Sequence, residues 1–264
     1  MTIIQAIILG IIQGLTEFIP ISSSGHLILV HEWLGVTTES LIFDVALHLG
    51  TLIALVIYFY KDIYSITKSL FVRDNNTNLA MVLAVATVPA VIAGFFLQDL
   101  AESSFRSVRL VSLGLIIVAL LMLWAESYSK KLKQKTKLQN VSARQGVLIG
   151  IAQAVALIPG VSRSGATITT GLFAGVERKD ATRFSFLLGI PITFGAVLKV
   201  FSSSGTLDLL QAEQTIFIVG VLSAFLSGIF AIQFMLKYLA KHTLNVFAYY
   251  RIVVGIVVLL LTIV

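Results

Sequence analysis

The chain of 264 residues contains no cysteine. That excludes disulfide staples and thiolate chemistry, whether metal-binding or redox. Charge is almost as scarce, with Asp, Glu, Lys and Arg making up 12% of the residues, against about 25% in a soluble domain. The hydrophobic types reach 57% and the mean hydropathy is +0.97. A chain of this length cannot hide so much apolar surface from water while keeping so few charges for its exterior. Lipid is therefore the expected solvent, and a soluble enzyme, a disordered tail and a secreted disulfide scaffold are excluded. No Lys or Arg precedes Lys61, so the apolar N-terminus lacks the basic n-region of a secretory signal and is expected to remain in the protein. The net charge of +6 sits in short loops between apolar runs, which reads as membrane orientation and not as nucleic-acid binding.

A bilayer core about 30 Å thick needs about 20 apolar helical residues. Six stretches qualify: 41–60, 79–97, 107–125, 184–201, 214–236 and 246–264. Two further apolar regions are interrupted, 2–30 by Pro20 and Ser22-Ser23-Ser24-Gly25, and 146–176 by Pro159-Gly160 and Ser162-Arg163-Ser164-Gly165. Breaks at membrane depth strand backbone N–H and C=O groups, so they are tolerated only inside protein or beside a wet cavity. The flanks of the second break hold about a dozen apolar residues each, a length that favours re-entrant half-helices.

The two interrupted regions repeat each other. At a constant offset Gly10, Ile11, Gln13, Ser22, Ser24, Gly25 and Ile28 match Gly150, Ile151, Gln153, Ser162, Ser164, Gly165 and Ile168. Farther on, Phe43 and Leu47 match Phe184 and Leu188, and Gly114 matches Gly255. Each half then reads as one broken hairpin followed by three spans. Three is odd, so the second half enters from the opposite face. The expected fold is an all-α integral membrane protein with six transmembrane helices plus two re-entrant helical hairpins in an inverted-topology repeat. One membrane domain comprises a first repeat at 1–135, a cytoplasmic linker at 136–145 and a second repeat at 146–264. Fourteen of the 19 Lys and Arg fall in the loops 61–78, 127–145, 174–183 and 237–245, while Arg106, Arg109 and acids such as Glu39 fall in the others. That bias puts the lysine-rich loops, and "KKLKQKTK" above all, on the cytoplasmic side and both termini outside.

Ionisable residues inside a membrane are functional candidates by default. Glu17 lies one turn after Gln13, just before the first break, and Ser23 and His26 are three apart across it, in reach of sharing a proton. In the second copy Arg163 is flanked by Ser162 and Ser164, with Thr167 a turn beyond. Both breaks open a helix, whose start presents free N–H groups to an anion, and the planar guanidinium suits phosphate oxygens. Together these groups describe a phosphate-cleaving site at the membrane core. Blander readings stand beside this one. The serines can simply cap helices, and Glu17 and Arg163 can form a structural ion pair. His48 reads as a packing histidine, Asp44 as a helix cap, and Lys199, Arg251 and Glu126 as snorkelling side chains near span ends. Gly10, Gly14, Gly150 and Gly171 read equally well as sites of close helix packing.

The segments "QGLTEFIPISSSGH" (Gln13–His26) and "PGVSRSGAT" (Pro159–Thr167) strongly resemble the signatures of the undecaprenyl-diphosphatase family of the integral-membrane bacitracin-resistance type, and "FSFLLGIP" (Phe184–Pro191) extends the likeness. The resemblance implies hydrolysis of undecaprenyl diphosphate to undecaprenyl phosphate and inorganic phosphate, recycling the carrier of cell-wall polymers and conferring bacitracin tolerance. It implies a catalytic set of Glu17, Ser23, His26 and Arg163. Substrate phosphates would be held by Gln13, Ser22, Ser162, Arg163, Ser164 and Thr167, and Glu17 would hold a divalent cation, Mg²⁺ or Ca²⁺. Many members carry Glu where this chain has Gln13, so Glu17 and the substrate's own phosphates are left to hold the metal. The partners implied are the polyprenyl lipid and the surrounding bilayer, a bacterial inner membrane with the site opening outward. Nucleic acid is not among them, and a homodimer stays open. Inverted repeats with broken helices also build transporters, so a flippase of an anionic polyprenyl lipid is the competing reading; it has no need of Ser23 and His26.

Overall fold

The structure, a computed structural model, describes residues 1–35, 40–72, 74, 76–104, 107–203 and 206–262; Glu39 and Arg106 lie outside the described residues. No strand occurs among these residues, only an isolated bridge between Thr136 and Val176. The first hairpin is α1 (Ile3–Phe18) and α2 (Ser23–Leu34), followed by α3 (Ser40–Tyr58), α4 (Tyr60–Phe71), α5 (Thr77–Ser104) and α6 (Val108–Lys131). The second hairpin is α7 (Ala143–Val155) and α8 (Arg163–Phe173), followed by α9 (Arg178–Phe201), α10 (Thr206–Ala212), α11 (Gln214–Leu239) and α12 (Asn245–Leu261).

All six apolar stretches are helical, but they are not alike. Four helices, Thr77–Leu97, Val108–Lys131, Arg178–Phe201 and Gln214–Leu239, are long and apolar enough to cross a bilayer. The first stretch stops at Tyr58, where the chain bends by 74° into α4, a helix where the sequence predicted only loop. Tyr64, Leu70 and Phe71 of α4 are exposed, as in a helix lying at a membrane surface. The last stretch is a shorter apolar helix of 17 residues. Pro89 and Pro191 sit inside α5 and α9, which membrane helices tolerate when neighbours satisfy the freed carbonyls.

The packing exchanges partners between the halves. Helix α1 packs on α11 and α7 on α5, so the first helix of each hairpin lies against the second long helix of the other half; α3 meets α9 and α6 meets α12. Both hairpins start from the same capping box, Thr2 with Gln5 and Ser142 with Gln145, each satisfying two free N–H groups. Helix α7 therefore begins inside the segment read as linker. Two glycines permit the exchanged contacts. A Cβ on Gly14 would stand 2.4 Å from the Ala224 carbonyl oxygen, and one on Gly150 only 2.1 Å from that of Ala86. These glycines serve helix packing.

At the lysine-rich end, Glu126 does not snorkel. It is 1% exposed, takes Arg178 Nε and Nη2 at 2.7 and 2.5 Å and accepts the Leu244 N–H at 2.9 Å. One carboxylate thereby ties α6 to the starts of α9 and α12. Lys199 is exposed.

Candidate active site

Ser22 and Ser162 are the only non-glycine residues of positive φ among those described, at 76° and 73°. That backbone costs on the order of 1–3 kcal/mol and is held by what the break provides. Each serine caps the following helix, accepting the N–H of Gly25 at 3.4 Å and of Gly165 at 3.1 Å. Their hydroxyls are buried in this work, so of the residues expected to bind phosphate these two act through the turns they shape.

The half-buried counterpart is Ser23. Its Oγ donates to Glu17 Oε2 at 2.6 Å. The same carboxylate oxygen accepts Gln13 Nε2 at 3.0 Å and faces His48 Nε2 at 3.6 Å, while Oε1 pairs with Arg163 Nη2 at 2.6 Å. Glu17 is 7% exposed, and its charge is matched by the guanidinium from the other break. Arg163 is held from behind as well: Nη1 donates to the Gly189 carbonyl at 3.0 Å and to Thr193 Oγ1. A Cβ on Gly189 would fall 2.8 Å from the Arg163 Cζ, so glycine in the "FSFLLGIP" segment is what lets the guanidinium lie there. Ser164 donates to the Glu17 carbonyl at 3.3 Å, and Thr167 bonds the Arg163 carbonyl and Ser185. Both brace the second break.

His26 does not share a proton with Ser23. Its Nδ1 lies 2.7 Å from the Ser22 carbonyl and its Nε2 2.8 Å from the Tyr250 hydroxyl, with the rings stacked at 5.7 Å. A carbonyl only accepts, so Nδ1 carries the hydrogen and, in the neutral ring, Nε2 presents its lone pair. Spacing across a break does not give direction; the turn at Ser22 rotates Ser23 towards α1 and His26 towards α12.

Three intramembrane residues escaped the sequence reading. His48, read as packing, faces the Glu17 hub: its Nδ1 donates to the Asp44 carbonyl at 2.8 Å, and its far nitrogen is aimed at Glu17. Asp44 is no mere cap either, since its Oδ1 meets His31 Nε2 at 2.7 Å. Arg251, expected to snorkel, is fully buried. Its guanidinium donates to the carbonyls of Pro20 at 3.1 Å, Gly160 at 2.9 Å and Val161 at 3.1 Å, as well as Gly114 and Leu115 on α6. One side chain thus satisfies the carbonyls that both breaks strand, and fixes the breaks relative to each other. The sequence offered only that an arginine inside an apolar run is a functional candidate by default; the carbonyls it holds carry no mark there.

No group of three His, Asp or Glu that could cage a metal occurs among the described residues. The donor set still fits a hard cation that shares its shell with substrate. Glu17 offers a carboxylate, and the Gln13 amide oxygen is buried with no hydrogen-bond partner. Mg²⁺ is commonly held by one or two carboxylates plus substrate phosphates.

The BacA family, described as bacitracin resistance protein BacA, matches residues 6–257. Among curated proteins the chain is similar to undecaprenyl-diphosphatases of Thermodesulfovibrio yellowstonii, 45% identical over 260 residues covering 97% of this chain and 96% of that one, and of Moorella thermoacetica, 44% identical over 257 residues with 97% and 96% covered. The Desulforudis audaxviator undecaprenyl-diphosphatase is 39% identical over 263 residues, 97% of each. With two broken hairpins joined through Glu17 and Arg163, and likeness along nearly its whole length, this chain belongs to the BacA bacitracin resistance family.

Proposed function

We propose that this chain hydrolyses undecaprenyl diphosphate to undecaprenyl phosphate and inorganic phosphate, returning the lipid carrier to cell-wall synthesis and conferring bacitracin resistance. The observation that carries the reading is the Glu17 hub, which joins a hydroxyl from one helix start to a guanidinium from the other. The two halves form an inverted repeat in the bacterial inner membrane, with the lysine-rich loops in the cytoplasm and the site opening outward. The Glu17 hub, with Gln13, Ser23, His48 and Arg163 around it, is assembled within one chain.

Ser23 Oγ attacks the terminal phosphorus and passes its proton to Glu17. The bridging P–O bond breaks, its electron pair leaving with undecaprenyl phosphate. Arg163, fixed by Gly189 and Thr193, keeps its fork beside Glu17 and faces the phosphoryl oxygens, with the free N–H groups of the helix starts beside it. His26 Nε2 then takes a proton from water, whose oxygen attacks the phosphoserine. The P–Oγ bond breaks, Ser23 regains its proton from Glu17, and phosphate departs with the proton that His26 took from water, which leaves the imidazole neutral again. A divalent cation, when bound, would be held by Glu17 and the Gln13 amide oxygen and would neutralise diphosphate charge.

The test is release of inorganic phosphate from undecaprenyl diphosphate by purified protein in detergent, repeated in right-side-out and inside-out vesicles with a water-soluble short-chain diphosphate. Turnover in detergent and on the outer side is expected. A transporter would release no phosphate, and activity confined to the inner side would reverse the orientation. His48 supplies a finer check. His48→Ala removes a group 3.6 Å from Glu17 without touching Ser23, so turnover should fall about tenfold, below the 10²–10⁴ of a direct proton-transfer group. An unchanged kcat would return His48 to packing.

A further inference from the structure

At the lysine-rich end a pocket of about 580 Å³ opens where α3 bends into α4, between the start of α9 and the end of α11. Lys179, Arg183, Lys237 and Lys241 line it against one carboxylate, Asp62, and its apolar wall includes Tyr58 and Leu236. It is not a back door to the site. Phe18 packs edge-on against Phe186 at 5.4 Å and Phe186 against Phe59 at 6.4 Å, an aromatic layer between the Glu17 end of α1 and the pocket. Along α3 the pocket lies about 15 Å beyond His48.

Membrane orientation needs cations in loops but not a concavity. Here the cations surround a cavity, and one of them is incompletely used. Arg183 gives Nη2 to Asp62 at 2.6 Å, yet its Nε is buried with no hydrogen-bond partner. The lysines are exposed, and α4 beside them carries the exposed apolar side chains expected of a helix at head-group level. A phosphate supplies the anion that four cations favour, and an attached hydrocarbon chain suits the apolar wall. Basic pockets between helices on the cytoplasmic side take lipid head groups in this way. We infer that this pocket, separate from the site at Glu17, binds the phosphate head group of an anionic lipid from the lysine-rich face of the membrane, with the lipid chain along Tyr58 and Leu236.

The test uses the full chain in detergent and follows binding of phosphatidylglycerol, phosphatidylcholine and inorganic phosphate by native mass spectrometry and thermal shift. A fifteen-carbon prenyl phosphate is measured in the same way, and the share of its binding lost in the pocket variants below reports the pocket. Phosphatidylglycerol, the prenyl phosphate or both should bind, and the stronger of the two identifies the source of the head group. Lys237→Gln and Lys241→Gln should each weaken that binding about fivefold, the change equivalent to about 1 kcal/mol per lysine, and the double variant about 25-fold. Lys130→Gln with Lys131→Gln, on α6 outside the pocket, should leave it unchanged. Equal binding of phosphatidylcholine, inorganic phosphate as tight as the lipids, or an equal loss in the Lys130 and Lys131 variant would overturn the assignment. The readout is binding, so it stands or falls apart from phosphatase activity.

Discussion

Arg163→Lys is expected to lower turnover about a hundredfold, a loss of about 3 kcal/mol in transition-state stabilisation, while the protein folds and inserts as before. The guanidinium uses two nitrogens in different directions, Nη2 on Glu17 and Nη1 on Gly189 and Thr193. Lysine keeps the charge and brings one nitrogen on a flexible stem, so it can neutralise Glu17 or reach the Gly189 shelf but not span both. The fork is what holds a cation at a fixed place beside the phosphoryl group. Stability should change little, because a cation still faces the buried carboxylate. Removing the cation altogether strands Glu17, and losing one partner of a buried pair costs about 3–5 kcal/mol; Arg163→Met should therefore unfold more readily than Arg163→Lys. Phosphate release and thermal stability, measured on the same preparations, separate the two effects. Near-normal turnover in Arg163→Lys would make Arg163 a structural tie between the hairpins.

The residues that shape this site were unequally legible in the sequence. Glu17, Ser23, His26 and Arg163 stood out because a polar cluster inside an apolar segment is expensive, and because the breaks repeat. Which serine does what was not legible. Ser22, Ser23 and Ser24 are chemically alike, and only the backbone angle at Ser22 decides that it caps the helix while Ser23 faces Glu17. Arg251 was misread for a different reason. Its partners are backbone carbonyls, which have no signature in sequence, and Pro20 lies 231 residues away. His48 failed similarly, since its significance depends on α3 lying beside α1. The bend at Phe59 carries no glycine or proline to announce it, and so α4 passed as loop. What was legible is the price of burying polarity; what was not is the direction each polar group takes once buried.

Ser23→Ala and His26→Ala should each lower turnover by about a thousandfold, within the 10²–10⁴ that proton-transfer groups contribute, but they should stop the reaction at different points. Without Ser23 no phosphoenzyme forms. Without His26 the first transfer proceeds, since Glu17 is the group that accepts the Ser23 proton at 2.6 Å, and the enzyme stalls before water attacks. Purified His26→Ala protein given diphosphate labelled in its terminal phosphate should therefore retain label as an acid-stable phosphoserine, mapped to Ser23 by peptide mass spectrometry. Ser24→Ala should lose only a few-fold, because its hydroxyl faces the capping Ser22 at 3.4 Å and not the carboxylate. Tyr250→Phe should also lose only a few-fold: the ring still stacks on His26, and the Ser22 carbonyl still orients the imidazole. The alternative is an attack by His26 Nε2 itself. It would give an acid-labile phosphohistidine in the Ser23→Ala protein and no label in His26→Ala, an outcome that transfers the nucleophile's role across the break and reduces Ser23 to a ligand of Glu17.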